Sequence, residues 1–288
     1  MILTSPSATL FSRIKSEMVS LGVWYSTAAD EAAFRTWFLP AWINSGCTSD
    51  FAVLVQPSAQ LSIQFGVRVG VTGHRANVYW GDGTTDSVAP SADVDTSLSK
   101  TYATGAVRAV VLIGKIVRFS SINSDGKTAF GGRIGCLTSL TSLNVQGSNT
   151  LSGPVAGFTL LTVLYVTGAN TLSGPVAGFT SMSFLYVTGA NTLSGWGALA
   201  ASATGLCQMT HGGLTVLDAT EVNAVLAGFW ANRDAAKSRT ERVIDLGKDT
   251  PTPNAAPTGQ GLIDKAALQG YRSPTPPGTA GLWTVTTN

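Results

Sequence analysis

Few residues of this chain combine the side-chain type and spacing that catalysis needs. General acid–base work near neutral pH needs an imidazole or a tuned carboxylate with a partner in reach. Only two histidines are present, His74 and His211, and neither stands in a recognisable arrangement with a serine, cysteine or acid partner. Asp30 and Glu31 are adjacent acids that read as a helix start, where the macrodipole favours negative charge. Asp93 and Asp95 in SADVDTS, and Asp82 and Asp86 in WGDGTTD, carry the oxygen donors calcium takes. Two acids at each place are too few, and the twelve-residue calcium-loop spacing is missing. No GxxxxGK[ST] phosphate loop occurs. Cys47, Cys136 and Cys207 are odd in number and widely spaced, which predicts neither a disulfide framework nor a CxxC metal or redox site. The expectation is a chain that is not an enzyme, with no cofactor and no metal.

What the sequence offers is a surface, and a repeat builds it. Asn149–Ala169 reads NTLSGPVAGFTLLTVLYVTGA and Asn170–Ala190 reads NTLSGPVAGFTSMSFLYVTGA, a period of 21 residues. A diverged copy precedes them at 128–148, and another starts at Asn191 before losing register. On this period Leu143, Leu164, Leu185 and Leu206 share one column, and Val145, Val166 and Val187 share another two places later. Leucine followed by valine two residues on predicts one short strand per repeat, both side chains turned to a shared core. The Gly and Pro of LSGP are then expected to turn the chain back. Asn149, Asn170 and Asn191 recur at one position and should form an internal hydrogen-bonded ladder.

Strand alternation sends Val163, Tyr165 and Thr167 outward from one coil and Phe184, Tyr186 and Thr188 outward from the next. Ser142, Asn144 and Gln146 extend that face. An apolar, aromatic strip on an exposed sheet is the kind of patch that marks a partner or ligand site, and these six residues are the candidate binding residues. Cross-strand ladders also stabilise stacked repeats with nothing bound, so a purely structural role stands beside the binding one. A carbohydrate-active enzyme would need an acid pair that the repeat faces lack. Arg133 is the only charged side chain from Thr128 to Thr210, where a free soluble surface normally carries charge. Such a neutral solenoid suits packing in an assembly or contact with uncharged glycans.

Leu161–Gly174, LTVLYVTGANTLSG, resembles the core of leucine-rich repeats, with Asn170 one place later than that pattern has it. A second resemblance lies upstream. Residues 51–114 alternate as strands at 52–55, 61–71, 77–81 and 107–114, which predicts a small β-sandwich. Val78–Asp86, VYWGDGTTD, followed by Lys100–Gly114, is similar to the PKD domain, an immunoglobulin-like module of surface proteins. Gly81, Asp82, Gly83, Thr101, Tyr102 and Gly105 carry the match; Trp80 and Val78 depart from it, and the step from Tyr102 to Gly105 is one residue short.

The flanks complete the organisation. Residues 10–21 and 28–38 have apolar residues at helical spacing, with Pro40 marking a stop. They are read either as a docking segment for another subunit or as helices folded on their own β-module. Downstream, 218–234 opens with Asp218 and Glu221 as a capping box and continues with Val222, Val225, Leu226, Phe229 and Trp230, an amphipathic helix. A strand at 242–247, a helix at 261–271 and a final LWTVTTN complete a C-terminal cap.

At 288 residues, with a net charge of +2 and 12% charged residues, the chain is large enough for several domains and is neither a strongly basic nucleic-acid binder nor an acidic tail. No apolar run is long enough to insert in a membrane, and Arg13, Lys15 and Glu17 interrupt any export-signal core. The expected fold class is mainly β with some α. Its expected order is an N-terminal helical docking segment (1–50), a PKD-like β-sandwich (51–114), a leucine-rich-repeat-like solenoid (115–211) and a helical C-terminal α/β cap (212–288). The two resemblances together imply a surface-exposed protein, and NAAPTGQGLIDKAAL and GLWTVTTN look like the ends of repeat proteins from phages and bacterial surface loci. The expectation is therefore a bacteriophage virion protein, a tail, fibre or capsid-decorating subunit assembled in the host cytoplasm. Its partners would be other virion proteins, further copies of itself, and a host-surface glycan or protein. The alternative is a bacterial cell-surface adhesin.

Overall fold

The computed structural model describes residues 5–25, 27–46, 49–70, 74–91, 94–123, 128–212, 214–235, 242–247, 254–271 and 283–287. Strand (34%) outweighs helix (26%), so the class is mainly β, and a β-solenoid of about four turns forms part of it. The chain divides into two compact units, Met1–Thr141 with Val145–Gly153, and Ser142–Asn144 with Pro154–Asn288.

In the first unit, helices α1 (Ser5–Ser20) and α2 (Ala28–Ser45) precede strands β1 (Phe51–Gln56), β2 (Ser62–Val69), β3 (Ala76–Tyr79), β4 (Thr85–Val88), β5 (Thr96–Thr101), β6 (Arg108–Ile113), β7 (Ile116–Asn123) and β8 (Gly131–Arg133). One sheet runs β8-β1-β6-β3-β4 and another β7-β2-β5; every pairing within these runs is antiparallel. β1, β3 and β6 are buried along nearly their whole length, so they read as continuous apolar runs and not as alternation. The helices supply one cover. Leu10, Phe11, Ile14, Met18, Phe34 and Phe38 form a single cluster with Phe51, Val53, Tyr79, Ala109, Val111 and Ile113. On the second sheet Phe65 meets Trp80 and Phe119 at ring-centroid distances of 5.7 Å each. The N-terminal helices therefore pack on the protein's own sheet.

Pro40 does not stop α2. The buried face continues through Phe34, Phe38, Ala41 and Ser45, and its packing outweighs the one hydrogen bond that proline removes. The helix ends instead at Gly46, whose φ of 55° is left-handed and whose N–H donates to the Ile43 carbonyl. Strands β4, β5 and β7 were not among the expected ones. β4 and β5 are short edge strands with mostly exposed, polar residues, which erases the hydrophobic signal.

The chain continues through β9 (Ser142–Gly147) and β10 (Thr150–Pro154), with β10 parallel to β8. In the second unit come β11 (Val163–Val166), β12 (Thr171–Pro175), β13 (Phe184–Thr188), β14 (Thr192–Ser194), α3 (Trp196–Ser202), β15 (Gln208–Gly212), α4 (Ala219–Ala231), β16 (Val243–Asp245), α5 (Gln260–Gly270) and β17 (Thr284–Thr286). β11, β13, β15, β16 and β17 form a parallel ladder, in which Leu164, Leu185, Met209, Ile244 and Val285 are successive partners. All five are buried.

Two expectations fail here for identifiable reasons. Each 21-residue coil contains two strands, not one, because LSGP forms the end of β10 and of β12 instead of a turn. The return is made by consecutive tight turns, closed by Phe179 N–H to the Val176 carbonyl and Met182 N–H to the Phe179 carbonyl, both 3.0 Å. Val176, Phe179 and Met182 are fully buried at a three-residue step that strand periodicity does not reveal. Second, Leu206 is not in the leucine column, because α3 lengthens its coil and Met209 takes the place opposite Leu185. The step between partners grows from 21 residues (Leu164 to Leu185) to 24 (Leu185 to Met209), 35 (Met209 to Ile244) and 41 (Ile244 to Val285). In the longer coils α4 and α5 replace the second strand, and α4 packs against both α3 and α5.

Candidate functional site

The parallel ladder orients the outward strip. Inward residues Leu164, Val166, Leu185 and Val187 are at most 1% exposed, whereas Val163, Tyr165, Thr167, Phe184, Tyr186 and Thr188 are half-buried and alternate with them. Register pairs Val163 with Phe184 and Tyr165 with Tyr186. The two tyrosine rings stack at 4.6 Å and 7° between planes, and Tyr165 lies 6.0 Å and 10° from Phe184. Stacked plates cover each other's faces, so their rims and hydroxyls remain to meet a partner. The turn after each strand carries a left-handed glycine, Gly168 at φ 83° and Gly189 at φ 87°. A Cβ at Gly189 would run into the carbonyl oxygen of Gly168, so the glycine there is a packing requirement.

Three more strands continue these rows; the sequence predicts the one at 242–247 and not β15, whose outward Thr210 is buried. Gln208 pairs with Phe184, Thr210 with Tyr186 and Gly212 with Thr188; Val243 and Asp245 of β16 and Thr284 and Thr286 of β17 follow in the same rows. β15 is buried at every residue but Gln208, so alternation does not mark it, and the lengthened coil shifts its register. Asp245 brings the first acid to these rows, with its Oδ1 accepting from the Gly247 N–H at 3.2 Å.

Below the strip the asparagine ladder is present. Asn149, Asn170 and Asn191 are at most 1% exposed, and their amides donate to the carbonyls of Gln146, Thr167 and Thr188 at 2.7–2.8 Å. Asn149 Oδ1 accepts from the Phe130 N–H at 3.3 Å and Asn191 Oδ1 from the Leu172 N–H at 2.9 Å. One side chain thus ties a turn to the coil before it. At the solenoid's helical side, Asp218 caps α4 by accepting from the Glu221 N–H at 2.8 Å. Glu221 does not complete a capping box. Its carboxylate accepts from the Gly197 N–H at 3.0 Å, capping α3, whose own N-cap residue Gly195 has no side chain to offer.

The residues with reactive side chains are dispersed. His211 takes the valine-column position opposite Val187 and is fully buried. Its ring meets Trp196 edge-on at 4.5 Å, and its Nδ1 lies 3.1 Å from the Asn254 amide. Burial pushes its pKa down to about 4, so it is a neutral core residue. Asp82 accepts from the Thr84 N–H at 3.0 Å and pairs with Lys100 at 3.0 Å, whereas Asp86 accepts from Trp80 Nε1 at 2.7 Å. The two carboxylates are thereby engaged apart from each other. Asp95 bridges Arg68 at 2.9 Å and Arg118 at 3.1 Å; Asp93 lies outside the described residues. Asp30 caps with Thr27 at the start of α2, and Glu31 pairs with Arg35 at 2.6 Å. Cys136 is half-buried with its thiol pushed up chiefly by burial, Cys207 is buried, and Cys47 lies outside the described residues. Among the described residues no group of His, Cys, Asp and Glu is arranged to hold a metal ion, and no helix is long and apolar enough to cross a membrane.

No family model matches this chain, nor does any curated protein or solved structure.

Proposed function

We propose that this chain is a non-enzymatic structural protein of a bacteriophage particle, a tail, fibre or capsid-decorating subunit that uses its repeat face for adhesion or assembly. The observation that carries the reading is the uncharged solenoid face bearing the Tyr165–Tyr186 stack. Such a face gains little from long-range electrostatic steering and much from close contact with a neutral surface. Residues 1–114 serve as the anchor, and residues 212–288 cap the solenoid. The partners are other virion proteins, further copies of the chain, and a host-surface glycan or protein.

Two finer assignments belong to this proposal. Residues 51–114 are taken as a PKD-like module, supported by the Tyr102 hydroxyl, which donates to the Trp80 carbonyl at 2.7 Å and so joins the two halves of the motif. Residues 115–211 are taken as leucine-rich-repeat-like coils, supported by the aligned Leu164 and Leu185. Mass spectrometry of purified particles tests the virion reading; absence of the chain from particles rejects it. Glycan-array and host-cell binding by the full chain, compared with Tyr165→Ala and Tyr186→Ala, tests the strip. The strip fails as a site if neither substitution changes binding or particle assembly. The second reading, a bacterial surface adhesin, draws on the same Thr- and Asn-rich neutral face and predicts labelling on intact bacteria.

A further inference from the structure

The last coils of the solenoid carry a charge where the strand asks for an apolar side chain. Val243 pairs with Gln208 on one side and with Thr284 on the other, so Arg242 stands beside Cys207 and Trp283, one step before the paired stretch begins. Alternation turns Arg242 to the same side as the buried Ile244, toward the core. Arg242 is 2% exposed, and its Nε, Nη1 and Nη2 are all buried without a hydrogen-bond partner. Each of the other described arginines has an acceptor or an acid within reach. A guanidinium does not shed its proton to relieve burial, and a buried charge left unpaired is strongly destabilising.

Among the described residues nothing answers that charge. The Trp283 ring lies beside the guanidinium at 5.8 Å, close to the outer limit of roughly 6 Å for a cation–π contact. Trp283 is itself 2% exposed, and its indole N–H has no acceptor either. Arg233 leaves another donor unused: its Nη1 donates to the Trp230 carbonyl at 2.7 Å, while its Nε is buried and unpartnered. The Tyr271 hydroxyl lies within electrostatic reach of both guanidinium groups, and the acid beside it, Asp234, is engaged in accepting from that hydroxyl. Asp245 sits on the outward face of β16, where it accepts from the Gly247 N–H. The orphaned atoms of Arg233, Arg242 and Trp283 are therefore all donors, and two of the three side chains are cationic. Such a set calls for oxygen acceptors that carry negative charge.

We propose that Arg242 and Trp283 hold one small oxyanion, of phosphate or carboxylate type, with Arg233 adding positive charge at its edge. The planar guanidinium fork matches two oxygen lone pairs of such an ion, and the indole N–H supplies a further donor. Arg242 immediately precedes β16 and Trp283 immediately precedes β17, so the ion ties together the last two strands of the ladder. The site is independent of the Tyr165–Tyr186 strip and of the virion reading.

The test uses the full chain with inorganic phosphate, sulfate and acetate, against chloride at equal ionic strength. Calorimetric titration should return a saturable site with a Kd on the order of millimolar or tighter for at least one of the three oxyanions, and the same ion should raise the melting temperature. In the proton–nitrogen NMR spectrum the Trp283 indole signal, identified by its absence in Trp283→Phe, should move as the site fills. Arg242→Met should weaken binding by about tenfold or more, and Trp283→Phe, which keeps a ring against Phe229, several-fold, while Tyr165→Ala leaves it unchanged. In chloride alone Arg242→Met should melt no lower than the native chain, because it removes a charge that has no partner. A response to acetate alone assigns the site to a carboxylate, and a response to phosphate or sulfate assigns it to a tetrahedral ion. The proposal is overturned if no oxyanion binds more tightly than chloride, or if binding leaves the Trp283 indole signal where it was. It is overturned equally if Arg242→Met is markedly less stable in chloride, since a group of this chain would then already answer the guanidinium.

Discussion

Removing one rung of the asparagine ladder should cost far more than its single side chain suggests. Asn191→Ala takes away the acceptor of the Leu172 N–H and the donor to the Thr188 carbonyl, bonds of 2.9 and 2.8 Å at a site 1% exposed. Water cannot replace either partner without opening the coil. A buried backbone group left unpaired costs about 1–3 kcal/mol, so the two together should cost about 2–6 kcal/mol, against a total stability of roughly 5–15 kcal/mol. In a chain of this size, at roughly 2–4 °C per kcal/mol, that corresponds to a fall in Tm of roughly 4–24 °C. Asn191→Asp keeps the acceptor but sets an oxygen against the Thr188 carbonyl, and should lose a comparable amount. Thr192→Ala, at the exposed neighbouring position, serves as the control and should stay within about 0.5 kcal/mol. Urea denaturation followed by circular dichroism measures all three. If Asn191→Ala stays as close to the native protein as the control does, the ladder carries no weight and the reasoning is refuted.

Four further outcomes follow from the same structure. Because burial lowers the His211 pKa from about 6.5 to about 4, the unfolded chain binds this proton more readily than the folded one. Stability should therefore be full above pH 6.5 and fall by on the order of 3 kcal/mol as pH drops to 4, and His211→Val, matching the valine column, should flatten that slope in denaturation curves at several pH values. Glu221→Ala should cost about 1–2 kcal/mol by uncapping α3, with most of the loss recovered in Glu221→Gln, as thermal melts would show. Gly189→Ala should destabilise by about 2 kcal/mol or more, because the added Cβ meets the Gly168 carbonyl at a left-handed φ; equal stability would refute the packing argument. A double-mutant cycle on Tyr165 and Tyr186 should return a coupling of about 0.5–1.5 kcal/mol; zero coupling would mean the rings do not support each other.

How much the sequence disclosed depended on whether the relevant period survived. Leu164 and Leu185 repeat at a fixed step and fall into register as partners, as do Tyr165 and Tyr186 outside them. The same reasoning misplaced Leu206, since seven helical residues in α3 shift the frame and Met209 fills the column. Gly and Pro punctuate loops, so LSGP reads as a turn, yet Pro154 and Pro175 sit at the last positions of their strands, where a missing N–H is tolerated. Pro40 misled in the same way: a buried face overrode local propensity. Of the candidate strip, the six residues on β11, β13 and the turns beside them were legible from alternation. Gln208, Asp245 and the rows beyond were hidden by coils of unequal length.

The two central coils differ only at 160–163 against 181–184, while their spine positions are the same. A gene that recombined between these stretches would lose or gain one whole coil, and every surviving strand would still find a partner of matching shape. Reach would then change in increments of about 4.8 Å, the spacing of neighbouring strands, without any new interface having to evolve. The length of such a chain is open to selection in discrete steps, and variants of different length should all remain foldable.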